Sequence, residues 1–295
     1  MRSPVFTGVC PALVTPFHDH GGVNYAALGD LIDRQLSAGV DALCVCGTTG
    51  ESATLTEREH TAVIAFTVDR TGGRVPVIAG AGSNSTAKTV SLSKAVQDAG
   101  ADALLLVTPY YNRATQDGLL RHYETVAQQV SLPIILYNVP SRTGVSCTAG
   151  TYAALAEDAR INGVKEASGD LSLLTHTLAL CPSDFTVWSG NDDQIVPMMS
   201  LGAKGVISVA CNLLPEVLAE LAHLCLDGSF FRAAQLQIAY ADLVDALFEE
   251  VNPIPIKAAM NLLGMNAGLP RLPLCPPAPP HMAHLRQTLD AYGLL

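Results

Sequence analysis

The feature that most constrains this chain is an alternation repeated eight times over roughly its first 226 residues, in which a short apolar run is followed by a longer amphipathic stretch. The runs are "GVCPALVTP" (8–16), "ALCVCG" (42–47), "VPVIAG" (75–80), "ALLLVTP" (103–109), "PIILYN" (133–138), "INGVKE" (161–166), "FTVWSG" (185–190) and "GVISV" (205–209). Near-continuous apolar character marks strands buried on both faces, which is the signature of a parallel sheet covered by crossover helices. The intervening periodicity predicts helices over 24–38, 56–70, 85–98, 116–130, 147–158, 170–181, 191–202 and 214–226. Thr56 and Glu59 have capping-box spacing at the start of the second. "AGVDAL", "AGADAL" and "LGAKGV" each put a glycine between a helix end and the next strand. Eight strand–helix cycles predict an α/β fold, a (β/α)8 TIM barrel, over an open sheet.

From residue 228 no strand signal remains. "SFFRAAQLQIAYADLVDALFEEV", "IPIKAAMNLLG" and "PPHMAHLRQTLDAYGLL" read as three helices, the last set off by a Pro-rich linker at 270–280. The expected organisation is a catalytic barrel over 1–227 and a helical appendage over 228–295, too small and amphipathic to stand alone.

Composition narrows the partners. The net charge of −10 and pI near 5.1 disfavour nucleic acid and anionic membrane surfaces. No apolar run approaches the roughly 18 residues of a membrane span, and the N-terminus has no signal-peptide core, so a cytoplasmic protein is expected. The eight cysteines form no CxxC pair and read as buried reduced thiols, with Cys44 and Cys46 sharing one strand face. Nucleotide use has little support: there is no GxxxxGK[ST], and "GAGSN" fails GxGxxG at Ser85.

In such barrels the chemistry lies at the C-terminal strand ends. Those ends carry "TPF", "GTTGE", "GAGSN", "TPYYN", "YNVPSRTG", Lys165, "SGND" and "SVACN". Of five lysines, Lys88 and Lys94 fall in the third helix, Lys204 precedes strand eight at the opposite end, and Lys257 lies in the appendage. Lys165 alone ends a strand on the catalytic side. Parity puts Ile161, Gly163 and Lys165 on one face, with Gly163 leaving room inside the barrel. Burial among apolar neighbours disfavours an ammonium and exposes a nucleophilic amine suited to Schiff-base chemistry. Read alone, Lys165 is equally well a structural lysine paired with Glu166 or Glu51. Tyr137, one βα unit earlier, is either a phenolic proton shuttle or a core tyrosine. "GTTGE" offers two hydroxyls and a tight turn fit for a small carboxylate, or is an ordinary turn. Arg142 is a bidentate carboxylate anchor or a surface arginine.

Taken jointly, "GTTGE", "PYYN", "YNVPSRTG", "GVKEASGD" and "NPIPIK" resemble the dihydrodipicolinate synthase/N-acetylneuraminate lyase family, in order and at the expected separations over nearly the whole chain. "SRTG" is similar to the synthase branch, because the sialic-acid lyases lack an arginine at the position of Arg142. The resemblance implies condensation of pyruvate with L-aspartate 4-semialdehyde through an imine on Lys165, without metal or organic cofactor. It further implies that Thr48 and Thr49 hold the pyruvate carboxylate, that Thr48, Tyr137 and Tyr111 relay protons, and that Arg142 anchors the semialdehyde carboxylate. Gly190 and the Ile207 main chain would lie against the substrate. Tyr111 would come from a neighbouring subunit of a homotetramer built as a dimer of dimers. At an effector site for L-lysine the resemblance matches Ser52, Ala53, His60, Asn84 and Tyr110, with Lys88 in place of a glutamate and Glu57 in place of a histidine. Weak or absent feedback is expected, because Lys88 repels an ammonium group.

Alternatives are a 2-keto-3-deoxy sugar acid aldolase or N-acetylneuraminate lyase, which leave Arg142 without a reason, and a non-catalytic keto-acid-binding barrel. A metal-dependent aldolase needs ligands at several strand ends, whereas only His18 and His20 lie near one.

Overall fold

A computed structural model describes residues 2–295. Eight strands form one parallel sheet: β1 (Gly8–Pro11), β2 (Leu43–Val45), β3 (Val77–Gly80), β4 (Ala103–Val107), β5 (Ile134–Asn138), β6 (Ile161–Glu166), β7 (Thr186–Ser189) and β8 (Gly205–Ser208). From β2 to β8 each strand pairs with its sequence neighbour, and β8 pairs in turn with β1. The Ala12–Cys44 bridge and the 2.8 Å bond from Leu13 N–H to the Cys44 carbonyl join the first strand to the second and close the barrel.

The covering helices are α1 (Tyr25–Ser37), α2 (Glu57–Thr71), α3 (Thr86–Asp98), α4 (Gln116–Ala127), the single turn α5 (Pro140–Thr143), α6 (Ala149–Leu155), α7 (Leu171–Leu180), α8 (Ile195–Leu201) and α9 (Pro215–Leu226). The predicted capping box opens α2: Thr56 Oγ1 accepts from Glu59 N–H at 3.2 Å, and Glu59 Oε2 accepts from Thr56 N–H at 2.9 Å. Gly39 and Gly100 adopt left-handed φ of 78° and 93° after α1 and α3, the conformation that lets a helix turn into the next strand at no Cβ cost.

Sequence and structure part at several points. The first apolar run predicts a strand to residue 16, yet β1 ends at Pro11 and the rest becomes a loop that carries Thr15 toward the strand-two turn. The long helix expected from residue 229 breaks at Tyr240, whose φ of −110° is not helical, and yields α10 (Phe230–Ala239) and α11 (Ala241–Phe248). The break is compensated from the C-terminus: Tyr292 stacks on Tyr240 at 5.3 Å and donates its hydroxyl to the Ala239 carbonyl at 2.8 Å. With α12 (Ile254–Leu262) and α13 (Pro279–Ala291), four helices follow the barrel instead of three. The Pro-rich stretch is anchored by Arg271, which binds Glu59, the Gly21 carbonyl and the Thr54 carbonyl. That contact holds the Glu59 carboxyl down at about 2.

Inside the sheet a small core of Cys10, Ile78, Leu105, Ile135, Trp188 and Ile207 fills the barrel, and a larger one lies between sheet and helices. Phe6 stacks on Trp188 at 5.2 Å and accepts from its indole N–H at 3.2 Å, closing the N-terminal floor. Cys44 faces the barrel interior, but Cys46, expected on the same strand face, packs in the outer layer. The strand ends at Val45, and the left-handed φ of 53° at Cys46 breaks the alternation on which a shared face depends. Among the described residues no helix is long and apolar enough to cross a membrane.

Candidate active site

A bulge in β6 decides what Lys165 faces. Ile161 pairs with Ile134 and Gly163 with Ile135, so Asn162 is an extra residue and the alternation restarts. Gly163 and Lys165 therefore face the barrel interior, whereas Ile161 packs in the outer layer, contrary to simple parity. At Gly163 a Cβ would stand 1.9 Å from the Thr186 carbonyl oxygen, so the glycine is required by the approach of β7. Lys165, 5% exposed, sits in register between Tyr137 on β5 and Trp188 on β7, with Nζ 4.6 Å from the Tyr137 ring centroid.

Both carboxylates proposed as structural partners are engaged elsewhere. Glu166 lies on the outer face and accepts from Asn138 Nδ2, the Tyr152 hydroxyl at 2.8 Å and Ser168 N–H at 2.8 Å. Burial still raises its pKa. Glu51 pairs with Lys257 at 2.7 Å. Lys165 forms no ion pair among the described residues. Burial pushes the neighbouring Cys44 thiol up to about 11 and Cys10 well above its usual value, so both thiols stay protonated beside the lysine. Gly190, after β7, gives the lysine its space: a Cβ there would stand 2.6 Å from Ala167 Cβ and 3.1 Å from Lys165 Cε. Ile207 lies in β8, fully buried and in register with Cys10.

The turn after β2 is tied from several directions. Thr15 donates to the Gly50 carbonyl at 2.7 Å, Glu51 N–H to the Thr48 carbonyl at 3.1 Å, and Glu51 itself holds a left-handed φ of 55°. Thr48 and Tyr137 line one narrow recess of about 40 Å³; Lys165 is not part of that lining and meets it through the Tyr137 ring. Thr49 is buried, and its Oγ1 accepts from Asn252 Nδ2 at 3.0 Å.

Above the recess opens a cavity of about 510 Å³ lined by Thr48, Arg142, Tyr110, Ser52, Lys88 and His60, among others including Ala53 and Glu57. Active-site and effector candidates thus share one continuous mouth. Arg142, on α5, donates to the Asn252 carbonyl at 3.0 Å. His60 Nε2 lies 2.6 Å from the Gly80 carbonyl, and burial lowers its pKa. Asn84 is not part of the lining; its carbonyl accepts from Asn112 Nδ2 at 2.9 Å. Tyr111 stands 89% exposed at a left-handed φ of 72° in the loop after β4. Within one chain it is therefore not enclosed with Lys165. His18 and His20 stack on each other at 5.1 Å.

Sequence reading undervalued the C-terminal segment. Lys257, set aside with the appendage, is fully buried and reaches the strand-two turn, while Asn252 and Arg271 join the same network. A lysine amid the apolar "IPIKAAM" was the available signal, since lysine is almost never fully buried unless paired.

Residues 5–292 match the model of the Dihydrodipicolinate synthetase family. A 4-hydroxy-tetrahydrodipicolinate synthase of Acetivibrio thermocellus is 48% identical over 295 residues, covering 100% of both chains. One from Thermoanaerobacter sp. strain X514 is 47% identical, covering 99% of this chain and 98% of its own. The crystal structure of dihydrodipicolinate synthase from Aquifex aeolicus superposes with a TM-score of 0.96 at 46% identity, over 98% of this chain and 99% of that one.

Proposed function

The chain belongs to the dihydrodipicolinate synthetase family, and on that premise we propose that it condenses pyruvate with L-aspartate 4-semialdehyde through an imine on Lys165, giving 4-hydroxy-tetrahydrodipicolinate. This makes it a lyase of lysine and diaminopimelate biosynthesis, acting in the cytoplasm. The observation that carries the residue assignment is the placement of Lys165: a buried amine in no ion pair among the described residues, between Tyr137 and Trp188 and spaced by Gly190.

In the chemistry this supports, Lys165 Nζ adds to the keto carbon of pyruvate and water leaves to form the imine. Loss of a methyl proton gives the enamine, whose carbon attacks the aldehyde carbon while the aldehyde oxygen takes up a proton. The amino group of the adduct then displaces Lys165 from the imine carbon, and the ring closes. Tyr137, whose ring lies beside Nζ, shares a recess with Thr48, and the two hydroxyls are suited to move these protons. The Thr48–Thr49 turn holds the pyruvate carboxylate, with Gly190 and the Ile207 main chain against the pyruvyl group. Arg142, at the mouth, holds the carboxylate of the aldehyde. Tyr111, exposed in one chain, completes the relay in a neighbouring subunit of a tetramer.

The test is reductive trapping. Borohydride with pyruvate should add one reduced pyruvyl group to peptide 161–170, and Lys165→Ala should abolish it. Labelling that survives in that variant, or that appears on Lys204, sinks the assignment.

A further inference from the structure

One residue, Asn252, touches both substrate-holding elements and belongs to neither. It lies between α11 and α12, well outside the strand ends, and is 5% exposed. Its Nδ2 donates to Thr49 Oγ1 at 3.0 Å, and its main-chain carbonyl accepts from Arg142 at 3.0 Å. Thr49 belongs to the turn assigned to the pyruvate carboxylate; Arg142 is assigned to the carboxylate of the aldehyde. The segment is itself fixed to that turn, because Lys257, five residues on, bonds Glu51 Oε1 at 2.7 Å and the Thr15 carbonyl at 3.0 Å.

The amide is a poor choice for stability alone. Its Oδ1 is buried and has no hydrogen-bond partner, which is a destabilising arrangement that a smaller or apolar side chain would avoid. What the side chain does supply is a donor aimed at Thr49. A buried acceptor left unsatisfied beside a functional turn fits a group retained for what it orients.

We propose that Asn252 is a positioning residue that sets the Thr49 hydroxyl and the Arg142 guanidinium relative to one another, and so couples the two substrate carboxylate sites through the C-terminal segment. This rests on the assignment of those sites made above. Because the spacing of the two carboxylates is fixed by the adduct they join, a shift of either anchor is felt in both half-reactions.

The experiment compares the unmodified enzyme with Asn252→Ala, Asn252→Ser, Thr49→Val and the Thr49→Val/Asn252→Ala double variant, measuring KM for each substrate and kcat per trappable active site. Asn252→Ala removes the amide bond to Thr49 but keeps the carbonyl that holds Arg142, so it should raise KM for pyruvate by about tenfold or more and, because that carbonyl is no longer fixed to the turn, raise KM for the semialdehyde as well. The double variant should bind pyruvate no more weakly than the worse single variant, since both changes break one contact. Should the alanine protein not accumulate, the serine variant poses the same question with less lost volume. Unchanged KM values with fewer trappable sites, or fully additive effects in the double variant, overturn the proposal in favour of a structural role. Failure of the unmodified enzyme to trap pyruvate on Lys165 would instead refute the underlying assignment, whatever Asn252 does.

Discussion

Replacing Lys257 by methionine should be among the most damaging single changes available outside the barrel strands. Its Nζ is fully buried and meets three acceptors: Glu51 Oε1 at 2.7 Å, the Thr15 carbonyl at 3.0 Å and the Leu269 carbonyl at 3.4 Å. It also lies over the Phe17 ring, 4.2 Å from its centroid, with the Arg271 guanidinium 4.3 Å from the same centroid. Burial lowers the Lys257 pKa, and the Glu51 charge is the main influence opposing that shift. Methionine keeps the unbranched shape but leaves the Glu51 carboxylate with the Arg271 N–H, at 2.8 Å, as its remaining donor. Removing one member of a buried pair costs about 3 to 5 kcal/mol, because the other charge stays buried and uncompensated. For a chain of 295 residues that corresponds to a fall in Tm of roughly 5 to 8 °C. Adding Glu51→Gln removes the stranded charge, and the double variant should recover about half of the loss. Calorimetry of the four proteins in one buffer decides it. A loss below about 1 kcal/mol in Lys257→Met, or a double variant as damaged as the sum of its parts, would show that the pair is not the anchor described here.

Gly190→Ala should slow borohydride trapping of pyruvate by about tenfold or more, because the new Cβ would crowd Ala167 and the Lys165 stem; an unchanged trapping rate refutes the packing argument. His122 is lowered to about 4 from 6.5 by burial, so the unfolded chain takes up its proton first as pH falls. Stability from this group is therefore complete above about pH 6.5 and is lost progressively down to about pH 4, by up to about 3 kcal/mol, and His122→Leu should flatten that part of the urea-midpoint profile. Free L-lysine should inhibit weakly, with sensitivity gained in Lys88→Glu, since Lys88 places a like charge in the mouth cavity; strong inhibition of the unmodified enzyme contradicts this. Mixed Tyr111→Phe and Lys165→Ala subunits should regain part of their activity through hybrid sites, and no gain after verified subunit exchange counts against a shared site.

Much of the fold was legible because it rests on local patterns. Strands buried on both faces must be apolar throughout and helices must carry one apolar stripe, so eight cycles of that contrast predicted eight strands and their covering helices within a few residues. The place of Lys165 was legible for a related reason: order along the chain tells which end of a strand a residue occupies, and only one lysine lies at a C-terminal strand end. What failed was whatever depended on one residue's backbone or on contacts between distant segments. The bulge at Asn162 and the left-handed Cys46 each shift a side chain to the opposite face, and nothing in the apolar pattern marks a single-residue change of that kind. The C-terminal network is non-local in the strictest sense, since Lys257 and Glu51 are 206 residues apart and Asn252 and Thr49 are 203 apart. A charge and an amide read along the chain carry no address for their partners; only closing the barrel and folding the last helices over its mouth brings donor and acceptor out of water together, where each must be satisfied by the other.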